Sequence, residues 1–115
     1  VTHNIKLTLG DAADYTVNLA THDNYDDVTP AGRVATSANL SSKTITAGVA
    51  DAADVTLTAV SGDTSEWIVI WRDTGTESTS TLIAYLDTAT GLPVVPNGSD
   101  VGVTWDSSSN RIFRL

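Results

Sequence analysis

Apolar and polar residues alternate with a period of two through much of this chain. Ile5, Leu7 and Leu9 alternate with Lys6 and Thr8. Tyr15, Val17 and Leu19 alternate with Thr16 and Asn18, and Val55, Leu57 and Ala59 with Thr56 and Thr58. Successive side chains on a strand point to opposite faces, so this rhythm predicts strands with one buried face. The one-in, one-out pattern favours antiparallel sheets over a parallel sheet buried on both sides.

Two segments are heavier. Trp67-Ile68-Val69-Ile70-Trp71-Arg72 is apolar on both faces, and Leu82-Ile83-Ala84-Tyr85-Leu86 is similar. Both read as central strands covered on two sides. The polar, turn-forming run from Asp73 to Ser80 joins them as consecutive antiparallel partners. Val101, Val103 and Trp105 alternate in turn. With Asp106 to Asn110 as the turn and Arg111 to Leu115 as the return, they predict a terminal hairpin.

Helical signals are weak. Asp11-Ala12-Ala13-Asp14 and Ala50-Asp51-Ala52-Ala53-Asp54 offer single turns without an apolar stripe. Pro93, Pro96 and Asn97-Gly98 mark a loop. About eight or nine short strands at near-regular spacing predict an all-β fold, an antiparallel β-sandwich or small barrel with little helix. No linker or repeat of fixed period divides the chain, so residues 1–115 are read as a single domain.

At 115 residues and 41% hydrophobic content, the chain is long enough to build a core without staples. Cysteine is absent, which removes disulfides and thiolate-bound zinc. No signal peptide is visible and no apolar run has a membrane-spanning length. The net charge is −8, and the six Lys and Arg residues are scattered. Nucleic acid and anionic membranes, which demand clustered cations, are therefore not expected partners.

Four groups of residues invite chemistry. His22-Asp23-Asn24-Tyr25-Asp26-Asp27 is dense in oxygen ligands but lacks the spacing and central glycine of a helix–loop–helix calcium loop. It is read as a turn. His3 and His22 lie in no hydrolase signature, and no Gly-x-Ser-x-Gly elbow is present. Asp73-Thr74-Gly75 matches the aspartic-protease triplet, but it opens a Ser/Thr-rich loop directly after Arg72 and reads as a turn. Trp67 and Trp71, two positions on one strand face, together with Tyr85 and Trp105, fit either a sugar-binding platform or a two-layer core, and the core is preferred. No catalytic, cofactor-binding or metal-binding residue is expected, and the chain is read as non-enzymatic.

The stretch from Trp67 to Asp87 has a further property. An apolar strand ends in a basic residue and is followed by Asp-Thr-Gly, a Ser/Thr loop and a Leu-Ile-Ala-Tyr strand ending in Asp. In this it resembles a segment common in small structural proteins of tailed phages. Upstream, Thr21-His22-Asp23-Asn24-Tyr25-Asp26-Asp27-Val28 looks like that family's Thr-His-acid/aromatic-Asp-Val segment. Leu40-Ser41-Ser42-Lys43-Thr44-Ile45-Thr46 and the strand from Asp51 to Leu57 are similar to its next strands. Val101 to Asp106 and Ile112 to Leu115 look like its closing hairpin. The order is kept from about residue 21 to the end. The chain departs from the family at Pro30 to Ser37, where a Gly-rich, Tyr-containing loop is usual, and in its opening segment.

The resemblance implies a capsid decoration or cement protein on the outer surface of the virion, assembled in the host cytoplasm. Its expected partners are the major capsid protein and further copies of itself, most naturally as a trimer. A tail or tail-tip component, and a carbohydrate- or receptor-binding module, are the alternatives. Strand edges are natural docking points in small antiparallel folds. Residues 1–9 are therefore read as a docking or exchanged strand, with Ile5, Leu7 and Leu9 as contacts. The terminal strand offers Ile112, Phe113 and Leu115 as a second set.

Overall fold

The computed structural model describes residues 3–16, 18, 20–87, 92–105 and 113–114. Their strands are β1 (Asn4–Gly10), β2 (Arg33–Thr36), β3 (Thr44–Thr46), β4 (Val49–Asp51), β5 (Val55–Leu57), β6 (Trp67–Asp73), β7 (Leu82–Leu86), β8 (Val101–Val103) and β9 (Phe113–Arg114). The helical content among the described residues is three single 3-10 turns, at Tyr25–Asp27, Pro30–Gly32 and Glu77–Thr79. All named strand pairs are antiparallel. The predicted all-β class, with little helix, is the one observed.

The main sheet runs β2-β1-β6-β7, beside smaller sheets β3-β4-β9 and β5-β8. Its centre is β6, and its two faces explain why Trp67 to Arg72 is apolar throughout. Ile68 and Ile70 point into a core with Leu7, Leu9, Leu40, Ala52, Leu57 and Val60. Val55, Val101, Val103 and Trp105 of the β5-β8 side pack against that core, which gives a sandwich-like second layer. Trp67, Val69 and Trp71 point the other way, into a second core with Tyr15, Tyr25 and Val28. That face is covered by the segment between β1 and β2, whose described residues are loop, turn and 3-10 turn, apart from a single bridge at Asn24.

A glycine sets the fit on this second face. Gly10 lies opposite Trp67 across the β1–β6 ladder. A Cβ built on Gly10 would come within 1.9 Å of the Trp67 ring, so the indole fills the space a side chain would take. Tyr15 meets that indole edge-on at 5.4 Å.

Several expectations are corrected. The strand β1 is paired with β2 on one side and β6 on the other, so it is interior and has no free edge over these registers. The Tyr15 region is no strand: its described residues form a turn and loop, with Tyr15 N–H donating to Asp11 O at 3.1 Å. Val17 and Leu19 lie outside the described residues. The strand β7 is an edge and not a central strand, since among the described residues it pairs with β6 alone. It reads as doubly apolar because Ala84 and Leu86 pack on the first core and Leu82 and Tyr85 on the second. Among the described residues β8 pairs with β5 and β9 with β4, so no described pairing joins β8 to β9 as the expected terminal hairpin would; residues 106–112 lie outside the described residues. The β6–β7 connection is as predicted, antiparallel through the Ser/Thr-rich loop.

Candidate functional site

The surface of this fold opens along the outer side of β7, and a bulge in β7 shapes it. The β6–β7 register steps from Ile70↔Ala84 to Trp71↔Leu82, which leaves Ile83 without a partner on β6. Such an extra residue bends the strand and redirects its side chain. Ile83 is 44% exposed, unusual for a large aliphatic residue on a strand that packs on two cores. It stands as a ridge between two depressions and lines both.

The first depression is an apolar slot of about 100 Å³ between the main sheet and the β3–β4 hairpin. Ile5 and Ile70 contribute from the main sheet, with Leu40, Ile45, Ala50 and Ala52 from the opposite side; Lys43, Thr44 and Asp51 complete the wall. Ile45 is 67% exposed, because β3 is the outer strand of its small sheet. Lys43 is held by its ammonium, which donates to Asn39 Oδ1 at 2.9 Å and to Leu40 O at 2.6 Å.

The second depression is a groove of about 440 Å³ along the β7 edge, lined by His22, Asp23, Val69, Thr81, Leu82, Ile83, Ala84 and Tyr85. At one end the protein occupies this edge itself. Asn24 bridges Thr81, Leu82 N–H donates to Asp23 O at 2.9 Å, and Tyr25 N–H donates to Ser80 O at 2.7 Å. Among the described residues no strand continues this ladder past Leu82.

The residues singled out for chemistry are engaged in structure. Asp27 closes the 3-10 turn at Tyr25–Asp27, its Oδ2 accepting from Asp23 N at 2.9 Å and from Asn24 N at 3.1 Å. Those backbone donors hold its pKa below the ordinary carboxylate value. His22 Nδ1 lies 2.6 Å from the Tyr15 hydroxyl, and the two rings stack at 5.4 Å. Asn18 N–H donates to the same nitrogen at 3.3 Å, so Nδ1 acts as an acceptor and the Tyr15 hydroxyl donates. Burial pushes the Tyr15 hydroxyl pKa up, which keeps it a donor. Asp73 pairs with Lys6 at 2.7 Å and accepts from Gly75 N, as a turn aspartate does; both contacts lower its pKa, Lys6 the more. Trp67 and Trp71 are buried, at 1% and 5% exposure, and offer no sugar platform.

One acidic grouping escaped the sequence reading. Asp11 and Asp14, three residues apart, and the distant Asp63 bring carboxylate oxygens within 4.8 Å of one another. Oxygen clusters of this kind are what hard cations take, although Asp11 Oδ1 already accepts from Ala13 N at 2.9 Å. Desolvation, then Asp11, push the Asp14 pKa up.

These shifts have a sign in stability. Asp27, Asp73 and Glu77 are depressed, Glu77 by its two contacts with Arg33. A depressed carboxylate stabilises the fold above its unfolded pKa, and that contribution is lost as pH falls through the folded value. Asp14 acts in the opposite sense, since its raised pKa favours proton uptake by the folded state. The contacts that depress Asp27, Asp73 and Glu77 should therefore be lost, and the melting temperature should drop, as pH is taken below about 4, the ordinary carboxylate range. Asp27→Asn should lower it at pH 7 and converge on the parent in acid. A gap between the two proteins that stays constant down to acid pH would contradict the assignment to Asp27.

Of the sequence-predicted docking residues whose side chains are described, Ile5 alone lines a depression, as part of the slot. Leu7 and Leu9 are 0% and 1% exposed and belong to the first core; in this chain they are packing residues, not an exposed contact. Phe113 is in β9, in register with Ala50 beside the slot. Ile112 and Leu115 lie outside the described residues. Ile45 and Ile83 were missed, because exposure at a bulge or on a sheet edge leaves no mark in the apolar pattern. No family model and no curated protein matches this chain. No helix among the described residues is long and apolar enough to cross a membrane.

Proposed function

We propose that this chain is a non-catalytic structural component of a tailed-phage particle, a decoration or cement protein that docks on the outside of the capsid lattice. The observation that carries the docking reading is the apolar slot walled by Ile45 and Ile83. A single large exposed aliphatic residue is ordinary. Two of them walling one apolar depression, on a chain of net charge −8, are what a specific protein contact would use. The phage assignment rests on the ordered resemblance from residue 21 onward, and the all-β fold agrees with it. The engagement of Asp73 by Lys6, and of His22 by Tyr15, supports a structural role for both.

Decoration of a lattice works by repetition, since symmetry multiplies contacts that are weak one at a time. The proposal expects self-association, with a trimer on a local three-fold axis as the favoured form. Mass spectrometry of purified particles should find this chain in numbers that match the local symmetry axes of the head. A few copies per particle would favour the tail reading, and absence from particles would remove the assignment.

A further inference from the structure

We infer that the β7 edge from Ile83 to Leu86 accepts an extended, basic segment of the partner protein as an added strand, with one apolar side chain of that segment seated against Ile83. The inference rests on the reading of this chain as a docking module and names the surface and chemistry of the contact.

The chain uses this edge for a short ladder of its own, through Asn24↔Thr81 and Leu82 N–H to Asp23 O. The edge is thus competent for pairing up to Leu82. The groove then continues along Ile83, Ala84 and Tyr85. An incoming strand would take over the ladder where the Asp23–Tyr25 segment leaves it. The bulge at Ile83 falls at this handover and lifts an apolar side chain into the path. Main-chain pairing supplies affinity in such contacts, and alternate side chains supply specificity.

Charge selects the occupant. Asp23 lines the groove, and among the described residues no Lys or Arg does. Glu66 also lies close enough to the Tyr85 hydroxyl to raise its pKa, after the larger effects of burial and Asp87. The chain as a whole carries −8. A second copy would bring the same charge to an acidic edge, whereas a segment alternating Lys or Arg with aliphatic residues would find apolar floor and acidic flanks at once.

The test uses the full chain with three heptapeptides. One alternates lysine with valine and isoleucine. The second has glutamate for lysine. The third has the first peptide's composition with its apolar residues contiguous. Amide hydrogen exchange read by NMR should show the alternating lysine peptide protecting Ile83 to Leu86, with binding that weakens as salt rises. Ile83→Lys, at an exposed site, should keep the parent melting temperature and lower the affinity at least about tenfold. Equal binding of the glutamate peptide, protection on another strand, or no binding would overturn the inference. Co-sedimentation with capsids, run in parallel, separates the two readings. Wild type and Ile83→Lys sedimenting alike would sink the strand addition and leave the head assignment. Peptide protection without sedimentation would uphold the strand addition and remove the head assignment.

Discussion

Gly10→Ala should be among the most damaging single-methyl changes in this protein, costing about 3 kcal/mol or more of stability. The new Cβ would lie 1.9 Å from two carbons of the Trp67 ring, far inside contact distance. The ring has little freedom to retreat. Tyr15 packs on it at 5.4 Å and Tyr85 at 5.9 Å, and Trp67 is 1% exposed. The backbone is also fixed, since Glu66 N–H donates to Gly10 O and Asp11 N–H to Gly32 O, both at 2.9 Å. Chemical denaturation checks the magnitude. A double-mutant cycle checks the cause, because in a Trp67→Leu background the same methyl should cost much less. Equal penalties in both backgrounds would show that the ring is not the obstacle.

Trp71→Ala should cost about 3–5 kcal/mol, the usual range for removing a buried aromatic. Trp71 lies at the centre of a stack. The Tyr25 ring lies on it at 3.8 Å and 6°, and the Arg33 guanidinium covers Tyr25 at 4.0 Å. Lys6 approaches the indole from within 5.8 Å. The stack is also tied by hydrogen bonds. Trp71 Nε1 donates to Thr8 Oγ1 at 3.1 Å, and Thr8 Oγ1 lies 3.0 Å from the Tyr25 hydroxyl and 3.1 Å from Thr36 Oγ1. Removing the indole opens a cavity and strips one partner from Thr8, which is fully buried. Trp71→Phe should fall well short of the alanine loss, keeping the stack but not the hydrogen bond. Equilibrium unfolding of both variants measures the difference, and an alanine penalty below about 1 kcal/mol would contradict the stack as a core element.

Thr8 shows why β1 was misread from the chain alone. Between Leu7 and Leu9 a threonine predicts a solvent-facing position, and the strand then looks like an available edge. The threonine is instead buried because its hydroxyl is satisfied by Tyr25, Thr36 and Trp71, and hydrogen bonding across distant segments leaves no local pattern. The doubly apolar run of β6 was legible because both of its faces really are covered. The same logic failed for β7, since an edge strand packed on two cores has the composition of a central one. The alternation of Tyr15, Val17 and Leu19 misled because Tyr15 serves as a lid over Trp67, a role that asks for an aromatic and not for a strand. Val101 to Val103 was legible as a strand but not in its partner, because β5 lies far back in the chain. The proposed docking surface was the least legible part. It arises from a bulge at Ile83 and from the open slot facing β3, both products of register.

The proposed seat of this chain on the capsid is the open side of β7 and the slot beside it. Cross-linking mass spectrometry on intact particles tests it most directly, because Lys43 lines the slot and supplies an amine at the predicted contact. Links from Lys43 to the major capsid protein are the predicted result. Links confined to tail proteins would contradict the head assignment, and capsid links that avoid Lys43 while engaging a different face would contradict the docking surface.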